Sequence, residues 1–90
     1  MKVSPSYEEE IRDASTAEKL MNLNLSKAVE AAYRCTGRGI LLLDLIQEAS
    51  IGLWMGVSSY TSGDLETHID RCIDFALARA IVLQARENGI

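Results

Sequence analysis

The side chains in this sequence that most often carry chemistry are few and far apart. The chain has two cysteines, Cys35 and Cys72, without a CxxC motif, and His68 is its only histidine. A zinc site needs four ligands at close spacing, so the sequence predicts neither a metal site nor a cofactor. Both cysteines fall at helical spacing among apolar residues, which favours buried, reduced thiols over a redox role. A lone histidine near the start of a helix is far more often solvated or hydrogen-bonded than a ligand or a pH switch.

The acidic residues do not indicate catalysis either. Glu8, Glu9 and Glu10 are adjacent, as is typical of the first turn of a helix, where the helix dipole favours negative charge. Catalytic carboxylates need a pocket and a raised pKa. The sequence shows no nucleophile beside a base and no phosphate-binding loop. It therefore predicts a protein that is not an enzyme.

One polar pattern is more specific. Asp44, Gln47, Glu48 and Ile51 follow one another at i, i+3, i+4 and i+7. On a helix this spacing places an acid, an amide and a second acid on one face beside an apolar residue, which suits a basic helix of a partner. An ordinary solvated helix face is the alternative, and composition alone favours it.

Length and charge bound the class of protein. Ninety residues with 48% hydrophobic content suffice for one core, so we predict a single domain over residues 1–90. The net charge is −4, and a negative domain is repelled by nucleic acid at long range, so another contact would have to hold it on DNA. The sequence has no apolar run long enough to span a membrane and no secretory signal at its N-terminus, which predicts a cytoplasmic protein.

Helix signals dominate the chain. Pro5 is the only proline, and no stretch alternates with the period of a strand. The signals predict four helices: a short one from Ser4 or Ser6 to about Asp13, a second from Ser15 or Thr16 to Gly37, a third from Leu42 to about Tyr60, and a last one from the turn at Thr61–Asp64 to Asn88. The predicted fold is all-α, a compact three-helix bundle with a short additional N-terminal helix.

Apolar residues at steps of three and four predict the core faces. They are Leu20, Leu23, Ala28, Ala31 and Ala32 in the second helix, Leu42, Leu45, Ile46, Ala49, Leu53 and Val57 in the third, and Ile69, Cys72, Ile73, Ala76, Leu77, Ala80 and Ile81 in the last. Gly52 and Gly56 lie four apart inside the third helix, where each costs roughly 1 kcal/mol relative to alanine. Such glycines favour the close approach of another helix. Gly37 and Gly39 flank Arg38 and predict a sharp turn.

The third helix and the turn before it are similar to a known family. Residues 44–53 read DLIQEASIGL and follow Thr36-Gly37-Arg38-Gly39. This resembles region 2 of the primary-type bacterial sigma factors, whose pattern is D-L-I-Q-E-G-N-I-G-L after N-R-G. The likeness extends to Asn22-Leu23 in the preceding helix and to Ala80-Ile81 with Gln84-Ala85-Arg86 in the last. It covers roughly residues 17 to 87 and implies a helical bundle.

In that family the helix bearing DLIQE docks on a coiled coil of the polymerase β′ subunit. The resemblance therefore implies RNA polymerase β′ as a partner, contacted by Asp44, Gln47, Glu48, Ser50, Ile51 and Trp54. Ser50 stands where the family has Asn, and Trp54 where it has Met, so those two contacts are altered in kind. Taken alone, Trp54 and Met55 fit a partner anchor and a core position equally well.

The last helix departs from the family. The family carries aromatic residues there that stack on unpaired promoter bases, followed by Gln and Thr that read the duplex edge. Those positions are occupied here by Leu65, His68, Arg71, Cys72, Phe75 and Ala78. Stacking contributes about 1–3 kcal/mol per base, so its loss is substantial. Asp74 replaces an arginine of the family, and part of a basic loop is missing around Ser62-Gly63-Asp64.

The charges of the last helix point the same way. Its acids are Asp64, Glu66, Asp70, Asp74 and Glu87, and its bases are Arg71, Arg79 and Arg86, which predicts a surface that disfavours phosphate. We therefore expect promoter DNA to bind weakly or as part of the holoenzyme. The candidate DNA contacts are His68, Arg71, Phe75 and Arg79. The alternative for Arg71 and Arg79 is pairing with Asp70, Asp74 or a neighbouring helix.

Two classes of function follow from these patterns. The first is a sigma region 2-like module in transcription initiation or its regulation, either as part of a longer sigma factor or as a stand-alone relative that occupies polymerase without melting DNA. The second is a helical adaptor or homodimer that kept the fold and lost polymerase binding, with Gly52 and Gly56 lining the new contact. The first requires Gln47 and Glu48 to be accessible.

Overall fold

A computed structural model describes the backbone of residues 7–87 and the side chains of residues 16–87. Within this range the chain forms three helices and no strand: α1 (Tyr7–Arg34), α2 (Leu42–Ser59) and α3 (Leu65–Glu87). None of the three is long and apolar enough to cross a membrane. α2 packs against both other helices, whereas α1 and α3 contact each other least. The predicted all-α, three-helix bundle is confirmed.

α1 runs without interruption from Tyr7 to Arg34, so the prediction of a separate short N-terminal helix ending near Asp13 is wrong. No proline or glycine lies within this stretch. Asp, Ser and Thr in a helix interior each cost less than about 0.7 kcal/mol relative to alanine, which is too little to end a helix. Asn24 is accommodated because its side-chain amide donates to the Leu20 carbonyl oxygen at 2.9 Å.

The two predicted helix ends nearest the termini of the chain are not described. The N-terminal cap expected at Ser4 or Ser6 and the C-terminal end expected near Asn88 both lie outside the described residues. The other predicted boundaries agree with α2 and α3 to within one residue or two.

Glycines shape both turns, as predicted. Gly37 and Gly39 have φ angles of 87° and 83°, in the left-handed region that residues with a Cβ rarely adopt. Gly63 has a φ of 94° in the turn before α3. The Tyr60 hydroxyl donates to the Gly63 carbonyl oxygen at 2.6 Å, which ties the end of α2 to this turn.

Asp64 caps the N-terminus of α3. Its Oδ2 accepts a hydrogen bond from the Thr67 backbone N–H at 3.2 Å and another from the Thr67 hydroxyl. These two hydrogen bonds lower the pKa of the Asp64 carboxyl, the one from the hydroxyl more than the one from the backbone N–H. Desolvation raises this pKa by a smaller amount, and the charge of Lys27 lowers it slightly. Because a cap satisfies an N–H group that the helix leaves free, it determines where α3 begins.

The fully buried core takes large aliphatic side chains from α2 and α3 but only alanines from α1, whose Leu20 and Met21 pack at its edge. The largest fully buried side chains are Leu45, Leu53, Ile69 and Ile73. Full burial of such a side chain stabilises the fold by roughly 1.5–3 kcal/mol. The buried residues of α1 are Ala28, Ala31 and Ala32. Leu23 was predicted to face the core and is 77% exposed, so that position was wrong.

Gly52 and Gly56 are buried where α2 meets α3. A Cβ at Gly52 would lie 2.7 Å from the Cys72 carbonyl oxygen and 2.9 Å from the Ile73 Cα. A Cβ at Gly56 would lie 3.1 Å from the Ile69 Cα. The predicted close approach of another helix is confirmed, and the approaching helix belongs to the same chain. These glycines are therefore not available to line a contact between two copies.

Candidate functional site

α2 has one exposed face on the side away from its buried residues. Leu45, Ala49 and Leu53 are fully buried, so at 3.6 residues per turn the opposite side of the helix turns outward. The outward residues, called the α2 stripe below, are Asp44, Gln47, Glu48, Ile51, Trp54 and Met55. Glu48 is half-buried and the others are exposed. The accessibility of Gln47 and Glu48 that the sequence analysis required is therefore observed.

The α2 stripe changes character along its length. Its first half is polar and acidic, and its second half is apolar. Ile51 is 51% exposed, Trp54 52% and Met55 49%, so Trp54 and Met55 are not core residues. Contiguous apolar surface rimmed by polar residues is typical of an interaction site.

Ser50 lies at the edge of the α2 stripe. It stands four residues before Trp54, which makes the two neighbours on the helix surface. Its side chain is half-buried. The structure thus brings five of the six predicted polymerase contacts onto one exposed face and places the sixth at its border. Met55 belongs to the same face, and its position one turn after Ile51 was the signal for it.

An acidic groove lies between the start of α2 and the end of α3, which are adjacent because the two helices run antiparallel. The groove is lined by Ile40, Asp44, Gln47, Glu48, Ala80, Leu83, Gln84 and Glu87. Three of these side chains are carboxylates and none is basic, so their fields add in a partly enclosed space. Leu83 and Glu87 were not predicted as site residues, because only the packing of α3 on α2 brings them beside Asp44.

α3 presents a second exposed face. It is called the arginine stripe below and consists of Arg71, Phe75, Arg79, Val82, Leu83 and Arg86, all exposed. Three of the four candidate DNA contacts, Arg71, Phe75 and Arg79, lie together on it. The other members were not predicted. Val82 and Leu83 fall seven and eight positions after Phe75, so they share its face of the helix and not the face of the core residues. This spacing could have indicated from the sequence that they are exposed.

His68 does not join the arginine stripe as a free side chain. The Ser59 hydroxyl donates to the Met55 carbonyl oxygen at 2.7 Å, and its oxygen lies 2.8 Å from His68 Nε2, so the imidazole donates to Ser59. The ring also lies 5.9 Å from that of Tyr60. His68 therefore links the start of α3 to the end of α2, and the hydrogen-bonded structural role is supported over a DNA contact. The described residues contain no group of three or more His, Cys, Asp or Glu side chains placed to hold a metal ion.

The charges of α3 are separated by face. Asp70 pairs with Lys27 of α1 at 3.2 Å, and Asp74 lines a groove between α1 and α3 together with Lys27 and Arg34. Lys27–Asp70 is the one side-chain ion pair within residues 16–87. The predicted pairing of Arg71 and Arg79 with Asp70 or Asp74 is therefore wrong, because Asp70 pairs with Lys27 and Asp74 forms no ion pair within this range.

Comparison with known proteins gives a match to a family. The family model described as Sigma-70 region 2 matches residues 20–87. The RNA polymerase sigma factor SigA of Clostridium acetobutylicum is 40% identical over 77 residues, covering 82% of this chain and 20% of that protein. SigA of Listeria monocytogenes and SigA of Listeria innocua are each 38% identical over 80 residues, covering 86% of this chain and 21% of each relative. The chain thus spans about a fifth of the length of these relatives. No solved structure matches.

Proposed function

Because the chain belongs to the sigma-70 region 2 family, we propose that it acts in transcription initiation or its regulation by docking on the β′ coiled coil of bacterial RNA polymerase. The observation that carries the proposal is the α2 stripe, on which Gln47 and Glu48 stay accessible to a partner. Four members of the stripe, Asp44, Gln47, Glu48 and Ile51, belong to the segment through which the chain resembles the family, and the buried residues of that segment form the core face of α2. Sequence likeness and accessibility thus coincide on one face.

The α2 stripe has the two components that a helix-binding surface needs. Asp44 and Glu48 supply negative charge that speeds encounter with a basic partner helix and sets its register. Ile51, Trp54 and Met55 supply apolar area, and a half-exposed tryptophan is a frequent centre of binding energy. The acidic groove beside Asp44 extends the negative surface towards the end of α3.

The same proposal includes weak binding of promoter DNA by the isolated chain. Phe75 is the only aromatic ring on the arginine stripe, so a series of stacked bases has no platform. Asp70 and Asp74 flank the stripe on the α1 side, and the net charge of the chain is −4. Promoter contact would then occur within the holoenzyme, where polymerase holds the domain near DNA.

The adaptor or homodimer alternative has lost its proposed surface. Its contact was to be lined by Gly52 and Gly56, and α3 covers both. No other described surface favours it over polymerase docking, so it carries no separate proposal.

Titration calorimetry of the chain with a purified β′ coiled-coil fragment tests the docking. We expect Glu48→Lys to weaken binding at least about tenfold, which corresponds to about 1.4 kcal/mol, because a positive charge would then face a basic helix. Gln47→Ala should weaken it less, since it removes a hydrogen-bonding group without reversing a charge.

Glu30→Lys is the matched control. Glu30 is an exposed acid on α1, and its substitution by lysine changes the net charge by the same amount as Glu48→Lys. It should leave the affinity within about twofold of the unmodified chain. Equal affinities for the unmodified chain, Gln47→Ala and Glu48→Lys would show that the α2 stripe is not the docking surface.

A further inference from the structure

The arginine stripe has unused binding capacity that polymerase docking does not require. Arg71, Arg79 and Arg86 form no ion pair with any residue of the described part of the chain. Phe75 is 64% exposed, Val82 54% and Leu83 43%. Guanidinium groups beside exposed apolar side chains are common in protein interfaces, where arginine and aromatic residues are enriched.

The stripe has the length and pattern of a helix-binding face. From Arg71 to Arg86 it spans 15 positions, or roughly 22 Å of helix. Phe75, Val82 and Leu83 lie between the arginines, and together with Ala78 they line a groove of about 350 Å³. A partner helix lying along α3 would place apolar side chains in this groove and acids at its edges, within reach of the guanidinium groups.

We propose that the arginine stripe binds an amphipathic helix of another protein, whose apolar face is flanked by Asp or Glu residues. Charge complementarity identifies this occupant: the three charged members of the stripe are all positive. The nearby acids of α3 lie at the borders of the stripe: Asp70 pairs with Lys27, Asp74 lines the groove along α1, and Glu87 lines the acidic groove on the other side. The partner helix supplies the carboxylates that the stripe lacks.

A second copy of this chain is a poorer occupant. In a symmetric contact through the stripe, each arginine would face an arginine or an apolar residue of the other copy, since the stripe contains no acid. Like charges placed opposite one another are destabilising. The stripe is therefore not self-complementary, which a two-fold symmetric interface requires.

Nucleic acid is also a poorer occupant. Half of the stripe is apolar, and Val82 and Leu83 are aliphatic side chains that give no stacking surface for bases. An amphipathic peptide, by contrast, presents apolar side chains to Phe75, Val82 and Leu83 and keeps its acids at the edges.

Fluorescence anisotropy with labelled peptides tests this partner. The probe is an alanine-based helical peptide of about 18 residues, roughly 27 Å long as a helix, with leucines on one face and glutamates flanking them. Its two counterparts carry glutamine or lysine at every glutamate position. We expect the glutamate peptide to bind at least about tenfold more tightly than the lysine peptide, with the glutamine peptide between them.

Three variants of the full chain then locate the site. Arg79→Glu lowers the charge of the stripe from +3 to +1, so it should weaken the glutamate peptide several-fold and leave the glutamine peptide within about twofold. Misfolding would weaken both peptides alike. Phe75→Ala should weaken all three peptides by a similar factor, because it removes apolar contact only. Arg38→Glu is the matched control, since Arg38 is an exposed arginine in the turn before α2, and it should leave the preference unchanged.

Several results would overturn the proposal. One is that no peptide binds, or that all three bind alike. Another is that a thymidine oligonucleotide binds the chain more tightly than the glutamate peptide and loses that binding in Arg79→Glu, which would assign the stripe to nucleic acid. Self-association that Arg79→Glu abolishes would assign it to a second copy. Arg79→Glu should bind the β′ fragment like the unmodified chain, because this variant leaves the α2 stripe intact. The test of polymerase docking is therefore independent of the test of the arginine stripe.

Discussion

The α2 stripe and the arginine stripe are both exposed faces of helices that pack against each other, yet they carry opposite charges. The α2 stripe joins carboxylates to an apolar end, and the arginine stripe joins guanidinium groups to an apolar middle. Most polar residues of the first resemble the family, whereas Arg71 and Phe75 of the second depart from it. The chain therefore presents an acidic and a basic exposed face on two neighbouring helices.

The arginine stripe also shows why the net charge of a helix is a poor guide to its surface. Five acids against three bases made α3 look unfavourable to any anion. The packing of α1 divides these charges, since Asp70 and Asp74 turn towards bases of α1 while the arginines turn outward. What a partner meets is one face and not the sum over the helix.

The largest expected effect on stability comes from the contact between α2 and α3, the helices that carry the two stripes. In Gly52→Ala the new Cβ would lie 2.7 Å from the Cys72 carbonyl oxygen. Because this clash is with the backbone, we expect a cost in the upper part of the usual range, about 2–3 kcal/mol, against about 1 kcal/mol gained in helix propensity. We expect a net loss of about 1–2 kcal/mol in the free energy of unfolding, measured with urea. Gly56→Ala is the matched variant and should lose less, because its nearest backbone atom lies at 3.1 Å. A Gly52→Ala chain as stable as the unmodified one would contradict the close contact.

Removal of the tryptophan should separate binding from stability. Trp54→Ala should weaken β′ binding about 10- to 100-fold, because buried tryptophans dominate interface energetics. It should change the free energy of unfolding by no more than about 0.5 kcal/mol, since half of the side chain is already exposed. Tyr33→Ala, which removes a 58% exposed aromatic ring from α1, serves as the control in the calorimetric titration. An equal effect of both variants would show that Trp54 has no special role.

A single substitution beside the arginine stripe should increase the affinity of the chain for single-stranded DNA. Asp74→Arg places an arginine where the family has one, and we expect it to tighten binding of a single-stranded promoter oligonucleotide by about three- to tenfold. The dependence on salt concentration should become steeper, because the new charge releases a further counterion. Glu18→Arg, at an exposed acid of α1, is the control in the fluorescence titration. The expectation fails if the two variants gain affinity equally, since the gain would then reflect net charge alone.

The smallest effect concerns the cap that sets the start of α3. The folded-state pKa of Asp64 is below its usual value of 3.8, so the stability that it contributes is present above pH 3.8 and is lost as the pH falls through the folded pKa. Asp64→Asn should therefore lower the Tm at neutral pH, and the difference from the unmodified chain should shrink in acid. Thr67→Val keeps the carboxylate but removes one donor, and should show a weaker pH dependence. Thermal unfolding between neutral pH and about pH 2.5 measures all three chains; a constant difference would disprove the role of ionisation.

Much of the fold could be predicted from local patterns. The spacing of Leu45, Ala49 and Leu53 placed the core face of α2, and the glycines at 37 and 39 placed the turn before it. The errors are also local in origin: Asp13 and Thr16 resemble helix boundaries, but their cost inside a helix is small, so α1 continues through them. Leu23 has helical spacing with Leu20, yet no other helix covers its side.

The sequence by itself determined α2, α3, the turns before them and the polar stripe of α2, because these depend on residues within a few positions of one another. Only the tertiary structure decided which helix covers Gly52 and Gly56, which bases meet Asp70 and Asp74, and that the end of α3 completes the acidic groove beside Asp44. Each of these depends on contacts between residues distant in the chain. Such contacts determine which side of each helix stays in solvent, and a binding surface consists of the residues left there.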